Sequence, residues 1–331
     1  FTTGQNEKSA LFNYAKMIKE QAGDEVYGML PVPGGTGGRY SFATAVGMLA
    51  MGVTANENKG ETAENRVKEV LRAIKDVRQE MLEGEVEGDG IIPFAIARAN
   101  YLAEKKFGLN ILAFYPFASL MAETSNLIMQ ISTESIQEKG QGQNILPLVG
   151  PSRNHSVVNG IINGPRDKIV SFIKVDKFAS EKDGLIKGGR IFGGDLTALE
   201  GIRQSEVQNA SFEGTLEDMI EHGVPAYKIT MPELTPYYLA KLIAYFQHEV
   251  AIEGQLRGLR SEADEHGVYV DLTYLQKAVE GYKEKTRTHL SIMKTNMLLT
   301  IGDLGVEKYK TSAGDLIKSS MNVMRLLQSS I

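Results

Sequence analysis

Three residues define the chemistry this chain could carry. Arg39 follows the glycine-rich turn Gly34-Gly35-Thr36-Gly37-Gly38 and precedes an apolar helix; Glu134 closes one helical run and His155 opens a later one. A carboxylate can take a proton alpha to a carbonyl and return it to the neighbouring carbon. An imidazole exchanges protons near neutral pH, as the opening of a cyclic sugar requires. A guanidinium beside an enediolate oxygen offsets the negative charge that develops there. Taken singly, each residue also has an ordinary explanation. Glu134 would be a solvated helix-terminal acid, His155 a helix-start residue with a local hydrogen bond, and Arg39 the partner of a structural acid.

The elements that must hold these residues follow from apolar spacing. Gln5 to Ala22 reads as a helix with Leu11, Tyr14, Ala15 and Ile18 on one face, and a second apolar helix runs from Arg39 to about Val53. Between Thr3 and Gly37 there is no clear room for a strand. Val67, Val70, Leu71, Ile74, Val77 and Met81 mark a long amphipathic helix. From Ile91 helix and strand alternate, with strands expected at Asn110–Tyr115, Ile145–Val149, Lys168–Val175 and Ala226–Met231. Helices are expected between them at Ile91–Glu104, Phe117–Thr133, His155–Asn163 and Asp195–Asn209. This alternation predicts an α/β fold, a parallel sheet covered by helices on both faces, with ligands at the carboxyl ends of the strands. From Thr235 to Ile331 the pattern is helical. Its tail, with Leu290, Met293, Met297, Leu298, Met321, Met324 and Leu327, reads as a packing or partner surface.

Bulk properties remove several functions. The chain has 331 residues, 42% hydrophobic and 23% charged, with a formal net charge of −5, which argues against nucleic-acid binding. It contains no cysteine, so disulfides and thiolate chemistry are excluded. No apolar run is long enough to span a bilayer, and no signal peptide opens the chain. A soluble cytoplasmic protein is expected. His222, His248, His266 and His289 have no metal-ligand spacing with nearby carboxylates, so no metal is expected.

The segment Gly37-Gly38-Arg39-Tyr40-Ser41, continuing through Gly47-Met48-Leu49, resembles the Gly-Gly-Arg-(Tyr/Phe)-Ser motif and apolar helix of glucose-6-phosphate isomerases. The similarity resumes at Tyr115-Pro116-Phe117-Ala118-Ser119-Leu120 and at Ser132-Thr133-Glu134-Ser135. It continues at Asn154-His155-Ser156, at Phe212-Glu213-Gly214-Thr215 and at Met231-Pro232-Glu233-Leu234. The resemblance covers most of the chain to about Val268 and implies the C-terminal two-thirds of such a protein.

That resemblance implies a sugar-isomerase (SIS) type three-layer α-β-α fold with a helical C-terminal region. Residues 1–90 would complete a first sugar-isomerase domain with connecting helices, 91–235 would form a second, and 236–331 the helical region. It implies interconversion of glucose 6-phosphate and fructose 6-phosphate without a cofactor, in a homodimer whose sites are shared across the interface. Glu134 would be the base, His155 the ring-opening group and Arg39 the enediolate stabiliser. Thr2, Thr3, Gly38, Glu265 and Lys277 would contact substrate. The phosphate-binding Ser-Lys-(Ser/Thr) turn of the family would lie just before Phe1. Glu265 stands where the family has Gln, and Leu272 where it has Lys, with Lys277 the nearest alternative cation. A second reading, from a different class, is a non-catalytic sugar-phosphate sensor or scaffold on the same fold. A third is a subunit of a larger assembly.

Overall fold

The computed structural model describes residues 2–4, 10–22, 30–32, 36, 38–55, 60–84, 91–138, 140–178, 183–191, 194–259, 285–286 and 288–289. It divides the chain into two units, Phe1–Tyr274 and Leu275–Ile331. In the second unit the described residues, 285–286 and 288–289, are helical.

The first unit opens with strand β1 (Thr2–Gly4), helix α1 (Ala10–Ala22) and strand β2 (Leu30–Val32). β1 and β2 pair in parallel, Thr2 opposite Leu30 and Thr3 opposite Pro31. The stretch before Gly37 therefore does hold a strand, contrary to the expectation from its length. Three apolar or near-apolar residues, Leu30-Pro31-Val32, suffice because β1 supplies the pairing edge.

A 3-10 helix, Gly38–Ala43, leads into α2 (Ala45–Val53), and α3 (Ala63–Glu83) follows. Thr44 and Thr62 cap the two α-helices, their hydroxyls accepting from the backbone N–H of Val46 and Asn65. α4 (Ile92–Phe107) ends at Gly108, whose φ of 69° is the left-handed geometry of a helix stop.

The four-stranded sheet then forms from β3 (Ile111–Pro116), β4 (Asn144–Pro147), β5 (Lys168–Lys177) and β8 (Ala226–Glu233). Its order is β4-β3-β5-β8 and every pairing is parallel. The crossovers are α5 (Ala122–Ile136), α6 (Asn154–Ile162) and α7 (Gln204–Glu221). A two-residue hairpin, β6 (Arg190–Ile191) with β7 (Gly194–Asp195), precedes α7. α8 (Pro236–Leu256) is the last helix among the described residues of the first unit.

β3, and β5 from Ile169 to Ile173 apart from Ser171, are apolar because helices cover both faces. Phe114, Ile173 and Val175 point to one face and pack with Ile96 of α4, Ile128 and Ile131 of α5, and Leu242 and Phe246 of α8. Ala113, Tyr115, Val170 and Phe172 point to the other, against Ile161 and Ile162 of α6 and Phe212 and Met219 of α7. The sheet is thus the middle of three layers, as expected.

One helix differs from expectation. Apolar spacing predicts a helix over Asp195–Asn209, yet Asp195 ends β7 and its carboxylate accepts from the Thr197 backbone N–H at 2.9 Å. This local bond holds the chain in a 3-10 turn, Thr197–Leu199. The helix begins only at Gln204, where Glu206 accepts from the Arg203 backbone N–H at 2.7 Å, and it runs on to Glu221.

Candidate active site

The 3-10 helix that carries Arg39 is closed by its own hydroxyls. Ser41 Oγ donates to the Gly38 carbonyl and Thr44 Oγ1 to the Ser41 carbonyl, each at 2.7 Å. These bonds satisfy carbonyls at the turn and tip Arg39 inward, where its side chain has no solvent exposure. Its Nε–H donates to Ser135 Oγ at 2.8 Å, and Nη1 stands 3.4 Å from Glu134 Oε2. The Tyr40 hydroxyl is 2.9 Å from the same Ser135 oxygen. The main chain is held as well, because Gln247 Nε2 on α8 donates to the Arg39 carbonyl at 3.3 Å.

Glu134 sits in the last turn of α5. Its side chain keeps 31% of its exposure, so one side meets Arg39 and another remains open. Gln130, one turn earlier, donates to Glu134 Oε1 at 3.1 Å. Each carboxylate oxygen therefore has a different neighbour. A carboxylate held this way, beside a buried guanidinium and reachable from outside, is suited to proton transfer next to a group that becomes negative.

His155 is elsewhere. It is exposed in the first turn of α6, beside Asn154. Asn154 pins that helix start, accepting from the Tyr115 hydroxyl and donating to Thr215 Oγ1 at 2.8 Å. Burial pushes the Tyr115 hydroxyl's pKa up, so it remains a donor throughout the physiological range. α5 leads into the amino end of β4, while α6 leaves its carboxyl end and covers the opposite face. Glu134 and His155 of one chain are thus separated by the sheet.

The remaining candidates divide. Gly38 is exposed at the start of the 3-10 helix, beside Arg39, and a Cβ there would meet no atom within 4 Å. Thr2 and Thr3 lie in β1. Glu265 and Lys277 lie outside the described residues, as do Leu272 and most of the helical tail. The expectation of a ligand site at the carboxyl ends of the strands is not what the Arg39–Glu134 pair follows. Glu134 ends the helix that returns to the amino edge, so the pair gathers where the 3-10 helix meets the end of α5 and Gln247 of α8. A cavity of about 260 Å³ does occupy the carboxyl edge, lined by Phe42, Leu120, Leu234, Thr235, Leu239 and neighbours, but it is largely apolar. Among the described residues no group of three or more His, Asp or Glu could hold a metal ion, and no helix is long and apolar enough to cross a membrane.

Sequence reasoning did not single out Ser135, Tyr40, Gln130 or Gln247 as site residues. Two signals were available. Ser135 and Tyr40 adjoin Glu134 and Arg39, and Gln130 is four residues before Glu134, one helical turn. Gln247 has no local signal, since it meets Arg39 from 208 residues away.

No family model matches the chain. It is similar to the glucose-6-phosphate isomerase of Clostridium novyi, 28% identical over 312 residues, covering 94% of this chain and 59% of that protein. The enzyme of Caldanaerobacter subterraneus is also 28% identical, over 309 residues, with 93% and 58% covered. The chain thus spans a little under three-fifths of the length of these relatives. Among solved structures, a hypothetical protein of Thermus thermophilus superposes with a TM-score of 0.67 at 22% identity, covering 87% of this chain and 62% of that one. A glucose-6-phosphate isomerase of Chlamydia trachomatis superposes with a TM-score of 0.63 at 14% identity, covering 92% and 62%. These likenesses agree with the three-layer fold around a parallel sheet.

Proposed function

We propose that this chain bears the proton-transfer part of an aldose–ketose isomerase site and interconverts glucose 6-phosphate and fructose 6-phosphate through an enediol, as a cytoplasmic homodimer without a cofactor. The observation that carries this reading is the contact of buried Arg39 with half-open Glu134, 3.4 Å apart, within two motifs that resemble the isomerases. Glu134 would remove the proton from C2 of the open-chain aldose and deliver it to C1. Arg39 would offset the charge on the enediolate oxygens between those two steps. Because the base works in both directions, Glu134 ends the cycle ionised, as it began.

Ring opening would fall to His155 of a second copy. The separation of Glu134 and His155 by the sheet supports a site completed across a dimer, since an exposed imidazole at a pinned helix start is free to reach a neighbouring chain. Gly38, Thr2 and Thr3 would contact the substrate in this reading, as would Glu265 and Lys277, which lie outside the described residues. In the same reading, residues 1–90 complete a first sugar-isomerase domain, 91–235 form a second, and 236–331 the helical C-terminal region.

The test is a coupled assay on the protein expressed from its full reading frame and on the 331-residue chain. Fructose 6-phosphate is supplied, and glucose 6-phosphate is consumed by a dehydrogenase with reduction of NADP. Turnover that Glu134→Gln abolishes upholds the reading. Folded protein that turns over neither sugar phosphate overturns it, and tight binding of 6-phosphogluconate without turnover would point to a sensor instead.

A further inference from the structure

Four residues at the site form two adjacent pairs that interlock. Arg39-Tyr40 comes from the 3-10 helix and Glu134-Ser135 from the end of α5. Ser135 Oγ touches both members of the first pair, Arg39 Nε at 2.8 Å and Tyr40 Oη at 2.9 Å. Arg39 touches both members of the second, and its guanidinium lies 5.0 Å from the centre of the Tyr40 ring. We propose that Ser135 is the positioning residue that sets the orientation of the Arg39 guanidinium toward Glu134, with the Tyr40 hydroxyl fixing Ser135 in turn. The catalytic consequence rests on the isomerase reading; the orientation itself does not.

The argument is one of donor and acceptor inventory. Arginine only donates, so Ser135 must offer a lone pair to Nε–H. A hydroxyl has two lone pairs and one proton, which leaves capacity for the bond with Tyr40 in either direction. The Nε–H vector lies in the guanidinium plane. Anchoring it at a buried oxygen therefore fixes one line in the plane, and the contact of Nη1 with Glu134 bears on the rotation about that line. The bond to Ser135 has normal length, whereas the contact of Nη1 with Glu134 at 3.4 Å is longer than the roughly 2.7–2.9 Å of a tight charged pair. An arginine left to itself beside a carboxylate would close to a two-point fork. Here the neutral hydroxyl holds it back, and the Glu134 carboxylate keeps Gln130 on its other oxygen. The serine next to the base thus settles how the arginine faces it.

The test uses the 331-residue chain and the variants Ser135→Ala, Ser135→Thr and Tyr40→Phe. The Arg39 Nε–H resonance, assigned by its absence in Arg39→Lys, is followed by hydrogen exchange in 15N spectra, alongside isomerase kinetics. Ser135→Ala is expected to speed Nε–H exchange at least tenfold and lower kcat by about 10–100-fold while KM changes less than threefold. Ser135→Thr should restore both, and Tyr40→Phe should show a smaller loss. Unchanged exchange and unchanged kcat in Ser135→Ala overturn the proposal. If the parent chain turns over no sugar phosphate, the isomerase reading is in question, and exchange alone decides: faster in Ser135→Ala upholds the orienting role, equal rates overturn it. Should Ser135→Ala not fold, Tyr40→Phe is read in the same way.

Discussion

Glu134 and His155 stand at opposite ends of β4 and on opposite faces of the sheet, although only one strand and two loops separate them in sequence. In the proposed isomerase reading, the site takes one of them from each of two chains. Glu134→Gln and His155→Ala should each be inactive alone, yet subunit exchange between them should restore about a quarter of parent turnover. Half of randomly exchanged dimers are mixed, and each mixed dimer has one intact site of two. Activity after mixing the purified variants measures this. No recovery, with exchange verified, would argue that His155 plays no part across an interface.

Glu134→Gln alone keeps the size of the side chain and its hydrogen bond with Gln130, but cannot accept a proton. The expected loss is on the order of 10²-fold or more in kcat, with little change in KM. Near-normal turnover would remove Glu134 from the mechanism.

Two glycines of the Arg39 motif should respond in opposite ways. A Cβ at Gly47 would stand 2.1 Å from the Phe42 carbonyl oxygen, whereas at Gly38 it would meet no atom within 4 Å. Gly47→Ala must push the 3-10 helix off α2, at a cost of roughly 1–3 kcal/mol or more. Gly38→Ala should melt like the parent and weaken only substrate binding. Thermal unfolding and KM for the two variants are the measurements. Equal melting temperatures for both would show that the α2 junction relaxes.

A buried acidic pair on α8 predicts how stability follows pH. Glu249 and Glu253 are each 1% exposed and face Asn100 and Glu104 of α4, Tyr227 of β8, and Arg257 one turn on. Burial pushes the Glu249 carboxyl well above its usual range, and the charge of Glu253 adds to this. Glu104 goes the other way. Burial is the largest single influence and opposes its charge, but the Arg257 guanidinium, the Gly142 backbone N–H and Lys105 together outweigh it and hold the carboxyl below the usual range. Glu249 therefore binds its proton more tightly folded than unfolded. Its contribution is fully present below the unfolded value of 4.5 and is lost as pH rises through the raised folded value. Glu249→Gln, neutral at all pH and still able to donate to Glu253 and accept from Asn100, should melt higher than the parent in alkaline buffer and show a flatter pH profile. Parallel profiles for the two proteins would mean that Glu249 is ionised in the fold.

The sheet was readable because its central strands are buried on both faces. Ile111 to Tyr115 is an unbroken apolar run and Ile169 to Ile173 is interrupted only by Ser171, and both have the length of a strand rather than of a helix. The start of α7 was not readable from apolar spacing, because one carboxylate, Asp195, captures its own downstream backbone. The acids of α8 were hidden by the rule that charge lies outside. Yet Leu242, Phe246, Glu249 and Glu253 follow at steps of four, three and four, one continuous stripe, and two carboxylates within an apolar stripe are a sign of a buried network. At the site, the resemblance named Arg39 and Glu134, which do meet. Ser135 and Tyr40 were in view but had no role, since orientation of a guanidinium is a property of three-dimensional donors and acceptors that linear spacing does not express.

The bond from Gln247 to the Arg39 carbonyl also sets a timetable. The two residues are 208 positions apart, so a ribosome adding about 5–20 residues per second delivers the second roughly 10–40 s after the first. Ser135 and Glu134 emerge near the middle of that interval, 96 and 95 residues after Arg39. The nascent chain can therefore bring its guanidinium to α5 while α8 is still unmade. α8 arrives afterwards and seals Ile128, Ile131 and Phe114 beneath Leu242 and Phe246. Until it does, this apolar face is open to whatever binds exposed hydrophobic surface at the tunnel exit.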